Sequence, residues 1–488
     1  MQTPTASLED SAWKGCFFTG QWQPAASTAP VTDKATGEVL SHIGLATVDD
    51  LAACAHAAAQ AQVAWADTAP DERAAIFRRA AQLVEQHRDE LAGWIMRESG
   101  GLRAKADMEL RSTLTTLHAS AAMMGEPQGL LLPNRVDRLS MARRVPHGVV
   151  GVIAPFNFPL TLSIRAVAPA LVTGNAVVLK PDPQTAVCGG FLIARLFQEA
   201  GLPAGLLHVL PGGADVGEAI CTDPHIAMVA FTGSTGAGRK VGALCGANLK
   251  KVSLELGGKN SLIVLDDADL DAAASGAAFG AWLHQGQICM ATGRILASER
   301  IAAELTQRLA EKALRLPVGD PSQGKVALGP VINARQLQVI DAIVKESVAA
   351  GAVLHAGGTH ENLFFRPTVL GGVKPGMRAF DEEIFGPVAS ITSFDTDDEA
   401  VALANQTDYG LAAAVMSRST SRALALGKRL KVGLLHINDQ TVLGDPHVPY
   451  GGRGASGNGS RIGGPANWDE FTQWQWITVR DAPPPYPF

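Results

Sequence analysis

One cysteine sits on a polar turn, Gln285-Gly286-Gln287-Ile288-Cys289-Met290, just after an alanine-rich apolar run and before a hydrophobic stretch. A thiolate in such a place is a carbon nucleophile. A free cysteine also serves simply as a small buried hydrophobe, and the turn alone leaves both readings open. Glu255 is the second group of interest, in Leu254-Glu255-Leu256-Gly257-Gly258-Lys259-Asn260. Apolar neighbours raise a carboxyl pKa and suit a base working near neutrality, whereas a solvated or paired charge is the commoner use of glutamate. A third feature follows the apolar run Met228–Phe231: Thr232-Gly233-Ser234-Thr235-Gly236-Ala237-Gly238. Glycines let a backbone approach a phosphate, and helix N-terminal amides favour an anion. The spacing GxxGxG reverses the dinucleotide fingerprint, and no acidic residue follows where that fingerprint needs one. Either an anion site or a plain glycine turn fits. Lys180 adds a cation directly after the apolar run Ala176–Leu179.

These groups need a scaffold, and the apolar pattern supplies one. Residues 17–45 alternate short apolar pieces with Gly and Thr, as in β-hairpins. From Asp49 to about Met124 the pattern is helical, with Thr47 as an N-cap and Pro70 opening a second helix. This helical region carries no obvious chemistry. Residues 127–147 read as a loop or an exposed strand pair. Short apolar runs then alternate with helical segments: Val149–Ile153, Leu160–Val172, Ala176–Leu179, Thr185–Ala200, Leu206–Leu210, a short helix from Ala214, and Met228–Phe231. That alternation predicts a parallel sheet covered on both faces, with ligands at the carboxyl ends of its strands. A second alternating region runs through 262–265, 295–297, 388–393, 412–416 and 434–438, enough for an independent α/β domain. The tail from Asp469 to Arg480 reads as a strand with two tryptophans, pairing either with another subunit's edge or within its own domain.

The bulk properties narrow the class. With 488 residues the chain suggests two or three domains. Hydrophobic residues make up 47% and charged residues 18%, which supports a large interior and excludes wholesale disorder. A net charge of -6, with no basic stripe, argues against nucleic acid as a partner. Cys16, Cys54, Cys188, Cys221, Cys245 and Cys289 are scattered, without metal-ligand spacing, and suit a reducing compartment. The first residues show acidic groups and no apolar core of a signal peptide, and no run is long enough for a membrane span. A cytoplasmic, metal-free protein is expected.

Seven motifs, taken together and in order, resemble the NAD(P)-dependent aldehyde dehydrogenase superfamily over nearly the whole chain. They are residues 155–159 (PFNFP), 179–181 (LKP), 231–236 (FTGSTG), 255–260 (ELGGKN), 285–289 (QGQIC), 383–387 (EIFGP) and 449–452 (PYGG). The tail from His436 to Gly464 is most similar to the benzaldehyde dehydrogenase branch, with vanillin- and salicylaldehyde-type enzymes nearby. The resemblance implies two doubly wound α/β domains and a small β oligomerisation arm. Residues 1–125 and 148–254 would bind the cofactor, 255–438 would carry catalysis, and 126–147 with 466–488 would form arm and tail. A homodimer or homotetramer is implied.

The resemblance also implies roles. Cys289 attacks the aldehyde, Asn157 and the Cys289 backbone N–H hold the oxyanion, and Glu255 activates the hydrolytic water. Ile153, Pro155, Lys180, Gly213, Thr232, Gly233, Ser234, Gly238, Leu256, Glu383 and Phe385 fall at cofactor positions. Among these, Lys180 meets the adenine ribose, Gly213 the adenine, Ser234 the pyrophosphate, Glu383 the nicotinamide ribose and Phe385 the ring. Pro183 departs from the pattern, because many NAD-selective relatives carry a glutamate there. Its absence removes a repulsion against a 2′-phosphate, so NADP use beside a favoured NAD is expected. Asp182 next door substitutes only with a shifted backbone. Leu162, Arg165, Leu283, Ile288, Met290 and the loop Thr441–Val448 fall at substrate positions and are mostly apolar, which favours an aromatic aldehyde over an aliphatic or semialdehyde one. Arg165 pairs either with an acidic substrate or with Glu255, and His284 is read as structural. Competing classes are a cysteine acyltransferase using His284, a non-catalytic scaffold, and a CoA-acylating relative.

Overall fold

The computed structural model describes residues 10–134 and 137–488. The first nine residues, read above for a leader, lie outside the described part, as do residues 135 and 136 of the expected arm.

Among the described residues, two seven-stranded sheets form the frame. The first has the strand order 251–255, 226–232, 149–153, 176–180, 207–209, 16–18, 22–24. Its first five strands are parallel, and the N-terminal hairpin adds two antiparallel strands at one edge. The reason is plain in Val149–Ile153 and Ala176–Lys180, whose near-continuous burial needs helices on both faces. The second sheet runs 353–356, 368–371, 388–394, 292–298, 260–264, 412–416, 434–437, parallel except at the 353–356 edge. One core packs around the first sheet, and two further cores pack on the second.

Local signals placed several helices. Thr47 caps Val48–Ala66 through a reciprocal capping box: its Oγ1 accepts from the Asp50 N–H (3.1 Å), and its own N–H donates to Asp50 Oδ2 (2.8 Å). Pro70 opens the helix Pro70–Gln86. The expected helix 185–200 is less regular than its pattern. It begins as a tight turn and a wide five-residue turn before Leu192–Glu199 becomes α-helical, because Gly189 and Gly190 lie against Pro159 and Pro181.

The tail strand Thr472–Val479 pairs with this chain's own Leu139–Pro146 over eight residues, and Gly129–Leu131 completes a three-stranded sheet. That sheet leaves Leu131 and Trp476 exposed at 79% and 66%. Among the described residues, no helix is long and apolar enough to cross a membrane.

Candidate active site

The cysteine turn is built under strain. The helix Leu270–Trp282 ends, and His284, Gln285 and Gly286 follow with φ of 47°, 56° and 66°. Left-handed non-glycine residues cost of order 1–3 kcal/mol each and persist only when their surroundings hold them. Here Gln285 Nε2 donates to the carbonyls of Gly100 (2.9 Å) and Pro330 (2.6 Å), and Gln287 Oε1 accepts from the Ile332 N–H (2.9 Å). Asn260 Nδ2 donates to the carbonyls of Cys289 and Ala291, both at 2.8 Å, while its Oδ1 accepts from the Ala412 N–H. The Cys289 backbone is thus pinned to the second sheet. Asn260 stands in a quoted motif, yet nothing in its spacing shows that it reaches Cys289.

Cys289 is half-buried and lines a cavity of about 190 Å³. Asn157, Leu162, Arg165, Ile288 and Met290 line it as expected, and the 441–448 loop contributes Val442, Gly444, Asp445 and Pro446. Leu283 does not line it. It caps the end of the helix Leu270–Trp282, where the chain turns away. The opposite wall comes from Met108, Ser112, Thr116 and Ala119 on the helix Arg103–Met123, a region that reads as chemically silent in sequence. That helix faces the site because it packs on Pro159–Val172, and Glu109 Oε2 accepts the Thr161 N–H (3.1 Å) at the latter's uncapped start. Glu109 is itself buried with Lys105, 2.5 Å away.

Asn157 Nδ2 donates to the Gln287 carbonyl (2.9 Å). An amide nitrogen carries two hydrogens, so one remains for an oxygen in the cavity. The Cys289 thiol lies 3.4 Å from Tyr450 Oη. Burial pushes the thiol's pKa up, Tyr450 and Arg165 pull it down, and Glu383 and Glu255 oppose ionisation. His284 is not the thiol's partner. Its ring packs edge-on to Phe158 (5.4 Å), and burial pushes its pKa well below the usual value, so it is a neutral structural side chain.

Glu255 ends the strand Lys251–Glu255, 2% exposed, and neither carboxylate oxygen has a protein hydrogen-bond partner. Burial raises its pKa to about 8, against the opposing charges of Arg165 and Arg461. Of the two pairings open to it, Arg165 does not make the ion pair with Glu255. Its Nη2 donates to Thr232 Oγ1 (2.9 Å), and its guanidinium lies 5.0 Å from the Tyr450 ring centre. Thr232 is the strand end beside Glu255, so it intercepts the arginine.

Most of the expected cofactor residues gather at the carboxyl edge of the first sheet, while Glu383 and Phe385 come from the segment before the strand Val388–Phe394 of the second. Ile153 pairs in register with Lys180 and Phe231, and Thr232 with Glu255. Pro155 follows the strand that ends at Ile153. Gly213 caps the helix Ala214–Thr222, and Ser234 caps Thr235–Ala247, its Oγ accepting from the Ala237 N–H (3.4 Å). Gly233 lies between Thr232 and that cap. A Cβ at Gly238 would collide with the Leu256 side chain, so only glycine lets this helix sit so close. Lys180 is buried, which lowers its pKa, with Asp182 and Asp215 opposing. Asp182 Oδ1 accepts from the Gln184 N–H (2.9 Å), committing that carboxylate to the turn that holds Pro183. Glu383 Oε1 accepts from the Gly258 N–H (2.9 Å), and burial raises its pKa to about 7. Phe385, at φ 50°, stands edge-on to Phe156 at 5.9 Å, its carbonyl held by Gln336 Nε2 (3.1 Å).

The description of the aldehyde dehydrogenase family matches residues 22–477. The chain is 54% identical over 483 residues to a vanillin dehydrogenase of an Amycolatopsis species, covering 99% of each. It is 49% identical over 482 residues to a benzaldehyde dehydrogenase (NAD(+)) of Pseudomonas putida, covering 98% of this chain and 99% of the relative. The crystal structure of a salicylaldehyde dehydrogenase from Pseudomonas putida G7 complexed with salicylaldehyde matches with a TM-score of 0.93 at 34% identity, covering 97% of this chain and 99% of that one. A strained cysteine turn, an unpaired buried glutamate and a glycine-walled sheet edge thus meet full-length similarity to such enzymes, and the chain belongs to the aldehyde dehydrogenase family.

Proposed function

We propose that the enzyme oxidises a single-ring aromatic aldehyde to its carboxylic acid with NAD, and accepts NADP. The observation that carries the substrate class is the cavity: about 190 Å³, mostly apolar in lining, with Cys289 and Asn157 on its wall. A dry apolar cavity of about 150 Å³ holds benzene, so one substituted ring is the matching size. The vanillin, benzaldehyde and salicylaldehyde relatives support the same class.

The residues present fit a dinucleotide. A Cβ at Gly257 would strike the Glu383 carboxylate, and Gly236 faces open space in front of the helix Thr235–Ala247. Lys180, Gly213, Ser234, Glu383 and Phe385 would hold it. When bound, the nicotinamide accepts the hydride that leaves the substrate carbon. Pro183 offers no carboxylate to repel a 2′-phosphate, and Asp182 is engaged elsewhere, which supports dual use.

The chain's own groups account for the remaining steps. Cys289 as thiolate attacks the carbonyl carbon, forming a thiohemiacetal. The free Asn157 N–H and the Cys289 backbone N–H receive the oxyanion. After oxidation to the thioester, Glu255 takes a proton from water as the water oxygen bonds to the acyl carbon; the carbon–sulfur bond then breaks, releasing the acid and returning the Cys289 thiolate. A buried base favours this hydrolysis over transfer to CoA.

Residues 1–125 and 148–254 would form the cofactor domain and 255–438 the catalytic domain. The arm, 126–147 with 466–488, carries exposed Leu131 and Trp476 and would join copies into a cytoplasmic dimer or tetramer. An initial-rate panel of aromatic and aliphatic aldehydes, with both cofactors and a Cys289→Ala control, tests the assignment. Faster turnover of aliphatic aldehydes, acyl-CoA as the product, or undiminished oxidation by the variant overturns it.

A further inference from the structure

Tyr450 has no part in the steps above, yet its hydroxyl is the hydrogen-bond partner of the nucleophile, 3.4 Å from Cys289 Sγ. The residue is fixed from two sides. Its backbone exchanges two hydrogen bonds with Ile462 (2.9 and 3.0 Å), and the Arg165 guanidinium stacks on its ring at 5.0 Å. Arg165 is in turn tied to Thr232 (2.9 Å), at the carboxyl edge of the first sheet. The phenol is buried and lines the same cavity wall as Cys289 and Asn157.

We propose that Tyr450 is a positioning residue for the oxidation: its hydroxyl donates to the Cys289 sulfur and holds the thiolate in one orientation at the cavity wall. The proposal rests on Cys289 being the nucleophile. The direction of the bond follows from the surroundings. Burial and the neighbouring Cys289 and Glu255 charges keep the phenol protonated far above the thiol's working range, so O–H donates to S⁻ and not the reverse. The charged groups facing the thiol are Arg165, which favours the thiolate, and Glu383 and Glu255, which oppose it. Arg165 is committed to Thr232 and stands off from the sulfur, so a neutral donor in direct contact adds the stabilisation that the arginine alone does not supply. Asn157 does not substitute: one of its hydrogens is committed to Gln287, the other is the one that receives the oxyanion, and the thiol's hydrogen-bond partner is Tyr450.

The contact acts before the carbon–sulfur bond forms. Once sulfur is acylated it is a poor acceptor, so the addition of water by Glu255, the slow step of hydrolysis that precedes departure of sulfur, should not feel the hydroxyl. The test is the rate of iodoacetamide alkylation of Cys289 from pH 6 to 10, in Tyr450→Phe and Tyr450→Leu, with the modified site identified by peptide mass spectrometry. Loss of the donor should slow alkylation near pH 7.5 by roughly tenfold, with the rates meeting or crossing at pH 10, because a thiolate freed of its donor is more nucleophilic. Acylation should slow with it, and thioester hydrolysis should stay unchanged. A packing role would leave Phe like wild type and impair Leu alone. That ranking, or a Phe profile superimposable on wild type, overturns the proposal.

Because the chain has only three tyrosines, 3-fluorotyrosine incorporation gives a second readout that needs no change of shape. The more acidic hydroxyl should move the alkylation midpoint to lower pH, and an unmoved midpoint counts against the donor. If Cys289→Ala oxidises aldehyde at the normal rate, the nucleophile assignment fails. If that variant is inactive while Tyr450→Phe alkylates normally, the positioning role alone fails.

Discussion

Thioester hydrolysis should follow the ionisation of Glu255. The carboxyl is buried, its oxygens lack protein partners, and its pKa is raised to about 8. A base with that value is about 1% ionised at pH 6, about 9% at pH 7 and about half at pH 8. Since only the carboxylate takes the proton from water, the deacylation rate should climb about fifty-fold from pH 6 to 8 and about two-fold more before levelling. The assay is single-turnover decay of the aroyl-enzyme, formed from benzaldehyde with limiting NAD and followed by intact-protein mass spectrometry after acid quench. Glu255→Gln should decay about 10²–10⁴-fold more slowly, with no slope in this range. Arg461→Met should push the rise to higher pH, because Arg461 helps hold the carboxylate charge. A wild-type rate flat from pH 6 to 8, or a Gln variant at the wild-type rate, would refute the reasoning.

Four further outcomes are expected. In its neutral form Glu255 supports the fold, and because its pKa is raised, that support is present at low pH and lost as pH rises through about 8; Glu255→Gln should melt above wild type at pH 9 and with it at pH 5. Asn157→Ala should slow acylation by about 2.7–4 kcal/mol of barrier, read from the pre-steady-state burst of reduced cofactor, while a burst of normal rate would remove it from the oxyanion site. Pro183→Glu should lower kcat/KM for NADP and spare NAD; an unchanged ratio would mean another group reads the ribose. Lys105→Met strands the buried Glu109 carboxylate and should cost on the order of 3–5 kcal/mol, seen as a lower Tm, which an unaltered melt would contradict.

What the sequence showed well was local. Runs such as Val149–Ile153 are apolar throughout because both faces are covered, and Thr47 and Pro70 mark helix starts through groups a few residues away. Strand Thr368–Gly371 escaped notice since it has only Val369 and Leu370 between a threonine and a glycine, and Lys251–Glu255 since its two ends are charged. The candidate nucleophile, base and amide donor were found by motif, and their surroundings were not. Tyr450 lies 161 positions from Cys289, and Thr232 lies 67 from Arg165. Side-chain pairings at such separations are settled by packing, and no periodicity encodes them. The same holds for Met108 and Thr116, which line the cavity through the packing of their helix on Pro159–Val172, where the Glu109 carboxylate also accepts the Thr161 N–H.

The turn at Gln285 has a consequence for dissecting the protein. Its side chain is gripped by the carbonyls of Gly100 and Pro330, one from the helical region beside the first sheet and one from the chain flanking the second. A fragment holding only residues 255–438 would keep the cysteine and lose the Gly100 anchor. The left-handed backbone could then relax, and the thiol would be an ordinary one. Reactivity of Cys289 toward a small alkylating reagent therefore reports whether the two halves are joined, and recombining separately expressed halves should restore it only on the timescale of their reassociation.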